Sequence, residues 1–191
     1  MPKLLFTFVI FYLVHPISWS QDIASLSSMQ KLTSEKQLSA VLSSGEFITT
    51  GEATFSLLFW DLYKSSLKTT SGKYPISLEQ DRLIFHIDYF ADISSVDLIN
   101  RTIEQWQHQR VPKEAYSSYI EQLHSIWPNI TKGDSLAVLV EAEQSSFYFN
   151  DRYIGVIADK AFGKLFVNIW LDKNTSQPAL RAQLLGENLH E

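Results

Sequence analysis

His86 and Asp88 stand two residues apart in the run Arg82-Leu83-Ile84-Phe85-His86-Ile87-Asp88-Tyr89-Phe90. Alternate residues of an extended strand share a face, so this imidazole and carboxylate could share a proton or a metal ion. No third ligand at a plausible spacing accompanies them, and a solvent-facing or singly hydrogen-bonded pair is the plainer reading. Glu141 and Glu143 form a second pair of carboxylates, but they flank a hairpin, where side chains are solvated. The chain has no cysteine, which excludes thiol nucleophiles, disulfide frameworks and zinc–cysteine sites. Phosphate-binding, serine-hydrolase and zinc-protease motifs are absent, and Gly163-Lys164 lies inside a helical pattern rather than a phosphate loop. No metal and no cofactor is expected.

The wider composition narrows the field further. Among 191 residues, 16 Lys and Arg stand against 21 Asp and Glu, with a net charge of −5. No basic run interrupts that balance, which argues against nucleic-acid binding, since neutralising phosphates needs clustered cations. Hydrophobic residues make up 45% of the chain and aromatic ones 13%, enough for one real core. Rings such as Trp60, Tyr63, Phe85, Tyr89, Trp106, Phe147 and Trp170 are numerous for one small domain. Most belong to the core, though a sheet lined with rings and incompletely covered by helices can leave an apolar cleft.

The elements that position these residues follow from periodicity. Glu46–Thr50 and Ala53–Tyr63 read as strands around a turn or bulge at Thr50-Gly51-Glu52. Ser71-Gly72-Lys73-Tyr74-Pro75 is a turn, and Arg82–Phe90 alternates, with Leu83, Phe85, Ile87 and Tyr89 on one face. Ser94 caps a helix carrying Val96, Ile99, Ile103 and Trp106, which Pro112 ends. A second helix spans Lys113–Trp127. Leu136–Glu141, Gln144–Asn150 and Tyr153–Ile157 form a meander with a tight turn at Asn150-Asp151. Asp159 caps a third helix, Lys160–Leu171, and Pro178 opens a last one that Gly186 ends. Strands and helices in separate blocks indicate α+β, a largely antiparallel sheet covered by helices on one side.

The first twenty residues read as an address. Lys3 precedes the apolar run Leu4–Val14, and Ser18-Trp19-Ser20 places small residues ahead of Gln21, the pattern of a secretory signal peptide. The run is too short to cross a bilayer core of about 30 Å, and Pro16 breaks its extension. The expected organisation is a signal peptide at 1–20, a flexible lead-in at 21–44 and one folded domain at 45–191. No further apolar run approaches spanning length, so no integral span is expected after cleavage. An exported chain without cysteine fits a Gram-negative periplasm.

Five stretches stand in a definite order: Leu58-Phe59-Trp60-Asp61-Leu62-Tyr63 with Leu67, Trp127-Pro128 followed by Lys132-Gly133-Asp134, Phe147–Gly155, Phe162–Leu171 and Pro178–Gly186. In order and spacing they resemble the bacterial chalcone isomerase-like family. Asn150-Asp151 departs from the family's Asn-Gly turn. The resemblance implies an open-faced β-sandwich of the chalcone isomerase type, a large antiparallel sheet backed by helices with a ligand cleft between the layers. Plant relatives close a flavanone ring there; others lack that activity, and some of those bind fatty acids.

Carried over residue by residue, the resemblance puts Glu46 where the plant enzymes have their substrate-polarising Arg and Leu58 where they have a Thr. Val96 and Ile103 fall at the Tyr and Asn positions, and Ile169 at a later polar position. A carboxylate in place of a guanidinium repels a developing phenolate, and no Arg lies between Gln21 and Asp81. The expectation is therefore a non-catalytic protein that binds an apolar small molecule, such as a fatty acid. Its expected ligand-binding residues are Leu58, Trp60, Tyr63, Tyr89, Val96, Ile99, Ile103 and Ile169. A fatty acid would also need an anchor, with Arg82, Arg152 and Arg181 as candidates. For Arg181 a structural salt bridge or cap near a helix start is the favoured reading. Two alternatives remain: an isomerase or lyase using His86, Asp88 and Tyr89, and a structural envelope protein.

Overall fold

The computed structural model describes residues 37–57 and 60–187. Six antiparallel strands form one sheet whose spatial order is the chain order: β1 (Ile48–Leu57), β2 (Trp60–Thr69), β3 (Leu83–Tyr89), β4 (Ser135–Val140), β5 (Ser145–Phe149) and β6 (Arg152–Ile157). The clean alternation of β3 sets the two faces. Leu83, Phe85, Ile87 and Tyr89 are buried against helices, together with Leu136, Val138, Val140 and Phe147 of the neighbouring strands. Side chains that alternate across a pleat deliver this segregation without further instruction.

Four helices cover that face. α2 (Ser95–His108) starts where the Ser94 hydroxyl accepts from the Asp97 amide at 3.1 Å, and its stripe buries Ile99 and Trp106. A short 3₁₀ turn at Lys113–Ala115 leads into α3 (Ser117–Ile126), so the segment expected as one helix is two pieces. α4 (Lys160–Leu171) begins at its Asp159 cap and buries Phe162, Phe166, Val167 and Ile169. α5 (Pro178–Leu184) has Pro178 at its start, and Gly186 follows it at φ 65°. Asn150 and Asp151 both take positive φ in the β5–β6 turn. The α+β architecture expected from the order of elements is the one observed.

One boundary differs from the sequence reading. At Thr50-Gly51-Glu52 the bulge of the turn-or-bulge expectation is what forms, β1 running on with a register shift between Thr49 and Gly51, whereas the segment expected as one strand, Ala53–Tyr63, is divided between β1 and β2. Gly51 is also needed for close approach, because a Cβ there would lie 2.2 Å from the Gln183 carbonyl oxygen of α5. Within the stretch expected as a lead-in, whose residues 21–36 lie outside the described ones, Leu38, Val41 and Leu42 are spaced for a short amphipathic turn, and α1 (Leu38–Ser43) forms there. Leu38 packs on the other face of the sheet with Ile84, Ala137, Leu139 and Tyr148. Asp151 holds the start of α1: its main-chain oxygen accepts from the Leu38 amide at 2.9 Å, and its carboxylate accepts from the Ser39 hydroxyl at 2.8 Å. The expected signal peptide at 1–20 lies outside the described residues.

Candidate ligand-binding site

The eight residues expected to line a cleft do not share one environment. Leu58 lies outside the described residues. Trp60, at the start of β2, is 74% exposed, and Val96, in the first turn of α2, is 53% exposed; the packed stripe of α2 begins one turn later, at Ile99. Ile99 and Ile169 are buried core and Ile103 is partly buried. Only the two tyrosines form a local group. Tyr63 pairs with Tyr89 across β2 and β3, with ring centroids 6.1 Å apart, and stacks on Phe55 at 5.2 Å. The Trp170 indole N–H donates to the Tyr63 hydroxyl at 3.0 Å, and its ring packs on Phe85 at 4.4 Å. The indole thus fills the layer between β2, β3 and α4. Burial pushes both phenols above their ordinary value, so they are neutral hydrogen-bonding groups.

The candidate arginine anchors are engaged elsewhere. Arg82 pairs with Glu46 and lies over the Phe47 ring, 5.1 Å from its centroid. Arg152 is exposed beside α1, where Gln37 bridges to it. Arg181 donates from Nε to the Leu171 carbonyl at 2.9 Å and sits 3.6 Å from Glu187, a tie between α4 and α5. His86 and Asp88 lie 3.6 Å apart on the face of β3 opposite Tyr89, so those three do not converge on one substrate. Burial lowers the His86 pKa against the pull of Asp88, which favours the neutral imidazole. Among the described residues no group of three or more His, Asp or Glu is placed to hold a metal ion.

A pocket of about 450 Å³ opens at another point between sheet and helices. Its floor is the Leu83–Val140 pair of the β3–β4 ladder. One wall is the β2–β3 connection, with Tyr74, Ile76, Leu78 and Glu79, and the opposite wall is α4, with Lys160, Lys164 and Val167. The β4–β5 hairpin closes one end with Ala142 and Glu143. Tyr74 ties the connection to α4, its hydroxyl donating to the Asn168 side-chain oxygen at 3.4 Å. Lys160 and Lys164 are one helical turn apart and so project from the same side of α4. The volume is in the range that holds a small molecule. None of the eight expected residues lines this pocket. The available signal was two lysines spaced i, i+4 on a largely apolar helix.

Sheet order and helical layer together define an open-faced α+β sandwich. The chain belongs to the chalcone isomerase-like family, whose model matches residues 35–186. It is 22% identical over 138 residues to an uncharacterized protein of Haemophilus influenzae, covering 72% of this chain and 67% of that one. The crystal structure of a fatty-acid binding protein of Arabidopsis thaliana superposes with a TM-score of 0.57 at 9% identity, covering 73% of this chain and 87% of the plant chain. At that identity the likeness establishes the shared fold.

Proposed function

We propose that this protein is an exported, non-catalytic member of its family that holds a fatty acid or another single-chain apolar molecule between sheet and helices. The observation that carries the reading is the 450 Å³ pocket, apolar at its floor and lysine-bearing at its rim. Burying an alkyl chain there is favourable by roughly 25 cal/mol per Å² of apolar surface, and a lysine ammonium supplies the charge-assisted contact an acid headgroup needs. The plant fatty-acid binding protein of the same fold supports the class of ligand. Export and a periplasmic location rest on the Lys3, Leu4–Val14 and Ser18-Trp19-Ser20 pattern.

Native mass spectrometry on protein purified from its own host tests the binding reading, with a bound lipid as the expected result. Titration with laurate follows, and replacement of Val167 by Trp is expected to block the pocket and weaken laurate binding at least tenfold while the helical circular dichroism is retained. Laurate binding unchanged by that substitution places any ligand elsewhere. N-terminal sequencing of the same material is expected to begin at or near Gln21; a chain starting at Met1 overturns the export reading alone.

A further inference from the structure

The rim of the pocket carries two charges of each sign. Lys160 and Lys164 project from α4, Glu79 comes from the β2–β3 connection and Glu143 from the β4–β5 hairpin. All four are exposed, and among the described residues none of them forms an ion pair. A free fatty acid satisfies only the cationic half of this rim. Its carboxylate is drawn to the two ammonium groups but stands near two carboxylates that repel it, and it offers them no donor. A neutral glyceride leaves all four charges without a partner. A headgroup with an anion next to a primary ammonium meets both pairs, while its alkyl chain lies over Leu83, Val140 and Val167.

We infer that the occupant is a single-chain zwitterionic amphiphile, an acyl chain whose headgroup joins a phosphate or carboxylate to a primary amine. The anion is held by Lys160 and Lys164, and the ammonium donates to Glu79 and Glu143. This rests on the binding reading given above and narrows its ligand. No chemical step is involved; the two carboxylates discriminate between amphiphiles of equal chain length.

The test compares three lauroyl probes below their micellar concentrations, by calorimetry on the intact protein: lauroyl lysophosphatidylethanolamine, laurate and monolaurin. The zwitterionic probe is expected to bind about fivefold tighter than laurate, the size of effect that one well-placed exposed ion pair confers. The double variant Glu79→Gln, Glu143→Gln is expected to erase that advantage and to leave laurate binding equal or stronger. Lys160→Gln with Lys164→Gln is expected to weaken both charged probes and spare monolaurin. If laurate binds as tightly as the zwitterion, or if the glutamine variant keeps the preference, the zwitterion inference is overturned while the binding reading stands. If no probe binds, or a folded Ile76→Trp variant binds all three as wild type does, the pocket itself is the wrong site and both readings fail.

Discussion

Asp151 shows how one residue can answer to two elements. Its φ of 71° belongs to the left-handed region, where glycine is at ease and other residues are strained, Asp and Asn least. The Asn-Gly turn of the wider family would relieve that strain. Here a carboxylate takes the place of the missing side chain and reaches the first residues of α1, accepting from the Ser39 hydroxyl at 2.8 Å. The role is that of a helix N-cap supplied from a distant turn. Asp151→Gly is therefore expected to leave the melting temperature of the domain nearly unchanged, since relaxed backbone offsets a lost cap. It should abolish amide-exchange protection in Leu38–Ser43. Retained protection there would mean that the packing of Leu38 on Ile84 and Tyr148 alone holds α1.

At the scale of elements, α4 sits close on the sheet at its first turn. Gly163 lets it approach the sheet, since a Cβ would lie 2.3 Å from Val140 Cγ1 and 2.7 Å from Ser145 Oγ. Alanine is ordinarily the better helix former by about 1 kcal/mol. Here overpacking against a buried β-branched neighbour dominates, and Gly163→Ala is expected to destabilise the domain by roughly 1–3 kcal/mol in urea unfolding. A stabilised variant would show that α4 can lift off the sheet freely. These elements were largely legible in the sequence because caps and periods are local: Asp159, Ser94 and the alternation of Leu83 to Tyr89 each announce their structure. The bulge at Thr50-Gly51-Glu52 was legible as one of two readings, but the contact of Gly51 with α5 was not, because glycine carries the same local signal for a bend and for a close approach. The pocket was illegible for a related reason. Its floor, walls and end come from three separated stretches, 74–83, 140–143 and 160–167, and apart from the i, i+4 spacing of Lys160 and Lys164 nothing local in its charged residues distinguishes them from solvated surface charges. The eight residues expected from the family resemblance include the core positions Ile99 and Ile169 because apolar spacing marks burial, whatever the buried face touches.

For the whole molecule, the tie between Tyr119 of α3 and Asp159 of α4 sets two limits on pH. The Tyr119 hydroxyl donates to the Asp159 carboxylate at 2.7 Å. Hydrogen bonds from the Ala161 amide and from Tyr119 hold the carboxyl below its ordinary value of 3.8. Its contribution is present at neutral pH and is lost as pH falls through that lowered value. Burial and the same hydrogen bond push the Tyr119 phenol up to about 12, so its contribution is complete below pH 10, the ordinary value, and declines as pH rises toward 12. Stability measured across pH is expected to fall at both extremes, and Tyr119→Phe should flatten the alkaline limb. An unchanged alkaline limb would assign it to other buried phenols such as Tyr89. A last consequence concerns the order in which the chain assembles. Every strand pairs with its neighbour in sequence, so β1–β2–β3 and β4–β5–β6 can each zip through connections much shorter than the one that separates β3 from β4. Joining them closes the long connection between Tyr89 and Ser135, the slowest entropy to recover. The Leu83–Val140 pair that floors the pocket lies on that seam, so the site comes into being only when the halves meet. A ligand is then expected to slow unfolding in proportion to its affinity and to leave the refolding rate untouched, a division that stopped-flow kinetics with and without laurate measures directly.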